Sequence, residues 1–146
     1  MDQSDLQSNR APFSNHLVPN MNAESRRSYH LIVIVEDDSA VRDSLKFTLV
    51  VEGFAVRTFS DARQLLAEPQ LPHPDCLIVD QNMPGMNGLD LISELRARNI
   101  KAPAILITSH PNSSVRDQAA SAGVPIIEKP LLNSALLDRV RHSVGR

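Results

Sequence analysis

Residues 76–88 read Cys76-Leu77-Ile78-Val79-Asp80-Gln81-Asn82-Met83-Pro84-Gly85-Met86-Asn87-Gly88. A short apolar run that stops abruptly at an acid, with Pro-Gly and Asn-Gly pairs behind it, describes a buried strand ending in a polar side chain and entering a tight turn. Asn87 is placed to cap the helix that follows. The pattern also occurs upstream, where Leu31-Ile32-Val33-Ile34-Val35 runs straight into Glu36, Asp37 and Asp38. Two buried strands therefore each deliver carboxylates at their carboxyl ends.

Outward from these strands the chain alternates. Val41, Leu45, Thr48 and Leu49 fall at helical spacing between Ser39 and Glu52, ahead of Gly53. Next come Phe54–Thr58 as strand, Ser60–Ala67 as helix, Asp75–Asp80 as strand and Gly88–Arg98 as helix. Ala104–Thr108 is a strand, Asn112–Ala120 a short polar helix, Pro125–Glu128 a strand and Asn133–Val144 a closing helix. Five strands interleaved with five helices predict an α/β fold whose parallel sheet is covered on both faces. Residues 1–29 are rich in Ser, Asn, Gln, Asp and Arg, with Pro12 and Pro19, and are expected to form a flexible tail ahead of a single domain spanning 30–146.

A length of 146 residues suits one such domain, and no separate DNA-binding output domain is expected. The net charge of −2, from 15 basic and 17 acidic residues, gives no global attraction to nucleic acid or an anionic membrane. Cys76 is the only cysteine, which rules out a disulfide scaffold and fits a buried small side chain. No apolar stretch approaches the roughly 20 residues of a membrane span, and no secretory signal opens the chain, so a cytoplasmic location is expected.

In a doubly wound sheet the carboxyl ends of the strands converge on one crevice. Here they bring Glu36, Asp37 and Asp38 from the first strand, Asp80 from the third, Thr108 and Ser109 from the fourth, and Lys129 from the fifth. Gathered carboxylates repel one another, and a hard dication such as Mg2+ relieves that repulsion with oxygen ligands. Glu36, Asp37 and Asp80 are the proposed ligands, with the backbone carbonyl of Asn82 as a further one. A carboxylate in such a setting can attack phosphorus, with Lys129 pairing with one phosphoryl oxygen and the Thr108 hydroxyl donating to another. Singly, each residue has an ordinary reading: acids at a helix amino terminus complement its dipole, and lysines are mostly solvated. Their shared position at one sheet edge is what argues for chemistry.

These motifs together resemble the receiver domain of two-component response regulators: the acidic pair after strand one, Leu-Ile-Val-Asp80 followed by Met-Pro-Gly-Met-Asn-Gly, Thr108 closing strand four, and Glu-Lys-Pro at 128–130. The likeness covers residues 30 to 144. It implies a flavodoxin-like sheet of strand order 2-1-3-4-5, with Asp80 as phosphoacceptor, Glu36 and Asp37 as the metal-binding pair, Thr108 as the switch hydroxyl and Lys129 as the phosphate-sensing lysine. It further implies a sensor histidine kinase or histidine phosphotransfer protein as donor, a downstream protein partner, and no turnover beyond self-catalysed phosphoryl transfer and slow autodephosphorylation. Asp38, one place beyond the pair, is expected to cap a helix.

The sequence also departs from the family pattern. Ile126 stands where a Tyr or Phe is common, so another two-state element would have to report phosphorylation. Leu131 and Leu132 replace a common aromatic residue and an acidic cap, placing apolar surface near the site. Asn82 and His110, each two residues beyond a site residue, are candidates for tuning the phosphoryl lifetime. Two other readings use the same residues: a phosphohydrolase with an aspartyl-phosphate intermediate, which would need a second Asp two residues after the nucleophile, and a receiver that binds partners without phosphorylation. The absence of a glycine-rich loop after the first strand argues against nucleotide binding.

Overall fold

Ile32, Val33, Ile34 and Val35 are all fully buried although successive strand side chains point to opposite faces, so this strand is covered on both sides. The computed structural model describes residues 29–131 and 134–145. The strands are β1 (Leu31–Val35), β2 (Ala55–Phe59), β3 (Cys76–Asp80), β4 (Ala104–Thr108) and β5 (Ile126–Glu128). Between and after them lie α1 (Ser39–Val51), α2 (Ala62–Leu66), α3 (Gly88–Ala97), α4 (Ser113–Ser121) and α5 (Ala135–Ser143).

The five strands form one parallel sheet in the order β2-β1-β3-β4-β5, as expected. Alternation along each strand splits the core in two. Val33, Val35, Leu77, Val79 and Leu106 face α2, α3 and α4, where Leu65, Leu91, Leu95 and Ala119 meet them. Ile32, Ile34, Ile78, Ile105 and Ile107 face α1 and α5 through Leu45, Leu49, Leu136 and Val140. Register aligns Val35 with Val79, Asp80 with Ile107 and Thr108 with Glu128, so the residues ending β1, β3, β4 and β5 emerge along one edge.

Element ends shift slightly from the sequence reading, each for a local reason. Phe54 is buried but donates its N–H to the Leu49 carbonyl at 3.0 Å, closing α1, so β2 starts one residue later than expected. Asp61 accepts from Gln64 N at 2.8 Å as a side-chain cap, which moves the start of α2 to Ala62. Asn112 caps α4 in the same way, at 2.9 Å from Val115 N. Thr48, placed on the inner face by spacing, is exposed, while Leu45 and Leu49 are buried. The expected tail lies outside the described residues except for Tyr29, as do Leu132 and Asn133. Among the described residues, no helix is long and apolar enough to cross a membrane.

Candidate functional site

The end of β1 is fixed from several directions. Glu36 is fully buried, and its N–H donates to Phe59 O at 3.0 Å. Its carbonyl accepts from Arg42 Nη1 at 2.8 Å, and its Oε2 accepts from Asp38 N at 3.1 Å. Asp38 takes the capping role expected of it, accepting from Ala40 N at 2.9 Å and Val41 N at 3.2 Å. Asp37 lies between them on the exposed rim.

Asp80 ends β3 with only 1% of its surface exposed. Its neighbour Gln81, which sequence reasoning did not single out, is buried and holds the loop behind it. Gln81 N donates to Ile107 O at 2.9 Å, its carbonyl accepts from Gly88 N at 3.1 Å, and its Oε1 accepts from Leu89 N at 2.9 Å. A polar side chain between an apolar strand and a Pro-Gly turn was the available signal. Gly88 sits so close that an added Cβ would lie 2.6 Å from the Asp80 carbonyl oxygen. The first turn of α3 thus braces the backbone of Asp80 because no side chain intervenes. Asn82 N then donates to Asp80 Oδ1 at 3.1 Å.

Lys129 approaches from β5, with Nζ 3.0 Å from Glu36 Oε1 and 3.4 Å from Asp80 Oδ2. Its own N–H donates to the Thr108 carbonyl at 2.9 Å, and the Lys129–Pro130 peptide is cis. Thr108 is 2% exposed, and its Oγ1 accepts from Asn82 Nδ2 at 3.1 Å. Carboxylate oxygens of Glu36, Asp37 and Asp80 all lie within 4.8 Å of one another. The structure therefore brings Glu36, Asp37, Asp80, Thr108 and Lys129 together, and ties Asn82 to the group through its backbone N–H and side-chain amide.

Crowding sets the electrostatics. Burial, reinforced by the Glu36 and Asp37 carboxylates, pushes Asp80 up to about 7 from an ordinary 3.8. Burial also acts to raise Asp37, but hydrogen bonding with Asp80 and Glu36 and the nearby Lys129 charge hold it below its usual value. For Lys129 burial works downward and is outweighed by Glu36 and Asp80, so its ammonium is held above the ordinary value. Burial pushes the Cys76 thiol up to about 11, in keeping with an inert core residue.

The donor set fits a hard dication. It consists of oxygens alone, and one of them is under-used: Glu36 Oε1 is buried and accepts no hydrogen bond of good geometry, although the Lys129 ammonium stands beside it as an ion pair. No histidine joins this group among the described residues. His110 lies on the exposed loop after β4 with φ of 46°, and Ile126 packs its aliphatic side chain against the core under β5. Leu131 is partly buried and lines a cavity of about 400 Å³ between α1 and α5, beside Lys129, Ser44 and Leu137.

Comparison with known proteins bears on the family and the fold. Residues 32–141 match the response regulator receiver domain family. The chain is 35% identical over 114 residues to the transcriptional regulatory protein FixJ of Azorhizobium caulinodans, covering 77% of this chain and 54% of that protein. It is equally similar, at 35% over 114 residues, to the C4-dicarboxylate transport transcriptional regulatory protein DctD of Pseudomonas aeruginosa, of which it spans 25%. The chain thus spans between a quarter and just over half of these curated relatives. Among solved structures, FixJ-N superposes with a TM-score of 0.69 at 31% identity, covering 80% of this chain and 94% of the other. A CheY-like receiver domain protein from Methanospirillum hungatei JF-1 superposes with a TM-score of 0.74 at 25% identity, again over 80% and 94%.

Proposed function

Because this chain belongs to the response regulator receiver family, we propose that it is a phosphorylation switch in which Asp80 accepts a phosphoryl group from a sensor histidine kinase or a histidine phosphotransfer protein. One observation carries the proposal: the carboxylates of Glu36, Asp37 and Asp80 meet within 4.8 Å at a sheet edge where Lys129 stands 3.4 Å from Asp80.

An Asp80 carboxylate oxygen attacks phosphorus as the phosphorus–nitrogen bond of the donor phosphohistidine breaks. The bonding pair stays on the imidazole nitrogen, which takes up a proton, and an aspartyl phosphate remains on this chain. Glu36, Asp37, Asp80 and the Asn82 carbonyl are the groups that would hold Mg2+, which when bound supplies positive charge against the phosphoryl oxygens. Lys129, now shared between Glu36 and Asp80, would pair with a phosphoryl oxygen, and the Thr108 hydroxyl would donate to another. The chain acts on itself in this step rather than turning over a substrate.

The modified domain changes its binding to a protein partner in the cytoplasm. With a net charge of −2, the domain presents no basic field for DNA to follow. Intact-protein mass spectrometry after incubation with Mg2+ and a small acyl-phosphate donor tests the reading. One phosphoryl adduct is expected, absent from Asp80→Asn and from metal-free protein. No adduct under any condition would identify a receiver fold that binds partners without phosphorylation.

A further inference from the structure

Asn82 touches both halves of the switch. Its backbone N–H donates to Asp80 Oδ1 at 3.1 Å, and its side-chain amide donates to Thr108 Oγ1 at 3.1 Å across 26 residues of sequence. Thr108 has few other ties for its hydroxyl. Its own O–H reaches the Ser109 carbonyl at only 3.4 Å, a long contact. Its backbone is fixed by Lys129 N at 2.9 Å, so what remains free to change is the χ1 rotor.

We propose that Asn82 is the positioning residue that sets the resting orientation of the Thr108 hydroxyl, taking the coupling role that an aromatic side chain at the place of Ile126 would otherwise fill. This rests on Asp80 being the phosphoacceptor. Ile126 offers Thr108 no hydroxyl and packs against the core, whereas Asn82 is exposed and already bonded to the Thr108 hydroxyl. Phosphorylation acts on Asn82 twice. Converting the Asp80 carboxylate into an acyl phosphate removes charge from the oxygen that accepts the Asn82 N–H, weakening a charge-assisted bond. Anionic phosphoryl oxygens meanwhile compete for the Thr108 proton. Both changes release Thr108 from its resting position, so the Asn82 bond is a latch that opposes activation. Its strength is that of a single neutral hydrogen bond, worth about a fivefold shift in a two-state equilibrium.

The test begins without any phosphoryl group. Three-bond scalar couplings to the Thr108 methyl report one rotamer in the wild type and averaging between rotamers in Asn82→Ala, which keeps the backbone N–H and carbonyl. In the second arm, beryllofluoride with Mg2+ serves as the phosphoryl mimic. It is expected to bind Asn82→Ala about fivefold more tightly than the wild type, and the substitution is expected to have no effect in a Thr108→Val background. An unchanged Thr108 rotamer in Asn82→Ala, weaker beryllofluoride binding, or the same gain in the Thr108→Val background would each overturn the assignment. If beryllofluoride fails to bind the wild type, the reading of Asp80 falls, and the rotamer measurement still decides the role of Asn82.

Discussion

Helices α3 and α4 both flank the site on one face of the sheet, and both begin with an asparagine cap, yet they are held by different means. Helix α3 buries Gly88, Leu89, Leu91, Ile92 and Leu95 and presses its first residue against the Asp80 backbone. Helix α4 buries only Ala119, with Val115 partly covered, and leans on an ion pair between Arg116 and Glu128 at 2.9 Å whose two side chains are half exposed. Apolar burial of the first kind is worth several kcal/mol, and an exposed ion pair is worth little. Asp80, the proposed phosphoacceptor, is thus braced by the better-packed helix, while Thr108 leads into the helix with the least to lose by moving.

The largest expected effect sets a core residue of α3 against its counterpart in α4. Leu91→Ala should lower the unfolding free energy in urea by about 3 kcal/mol, since a fully buried leucine leaves a cavity. Val115→Ala in α4 should cost under about 1 kcal/mol. Equal costs would erase the contrast between the two flanks.

Next in size is the charge at Asp80. Its folded carboxyl titrates near 7 and the unfolded one near 3.8, so between these pH values the native state keeps a proton that the unfolded chain has lost. Metal-free stability should therefore fall as pH rises from about 4 to about 7. Asp80→Asn removes this dependence, and should match the wild type at pH 4 and exceed it by at most about 4 kcal/mol at pH 8 without metal. Saturating Mg2+ should narrow or reverse that gap, because the cation is held better by the full set of carboxylates. Denaturation at the two pH values, with and without Mg2+, measures it; a gap that ignores pH would contradict the burial account.

A smaller effect sharpens the mobile side. Arg116→Ala should cost at most about 0.5 kcal/mol in global stability, yet speed amide hydrogen exchange across residues 113–121 while leaving residues 88–97 unchanged. Faster exchange in both helices would show that they open as one unit.

The fold was legible because buried parallel strands announce themselves. Leu31–Val35, Cys76–Val79 and Ala104–Ile107 are unbroken apolar runs, and each is buried along most or all of its length. The edge strand β2 was harder to bound: Phe59 alone is buried in it, and the adjacent Phe54 belongs to the end of α1. Site residues were legible for a related reason, since acids, a threonine and a lysine placed at strand ends must converge once the strands are parallel. What the sequence could not convey was the wiring between them. Neither the Asn82–Thr108 bond nor the reach of Arg42 Nη1 to the Glu36 carbonyl leaves a pattern in the chain, because both depend on how a loop or helix turns back over the strand ends. Gln81 was hidden likewise: its side chain replaces a missing helix partner for Leu89 N, a role that only the geometry of the turn creates.

The central claim is that Asp80, and no neighbouring acid, carries the phosphoryl group. Borohydride reduces an acyl phosphate to the alcohol, so trapping the activated protein and sequencing its peptides by mass spectrometry names the modified residue directly. The account predicts homoserine at position 80 and unmodified Glu36, Asp37 and Asp38. Reduction at any of those three acids, or at none of the four, would contradict it.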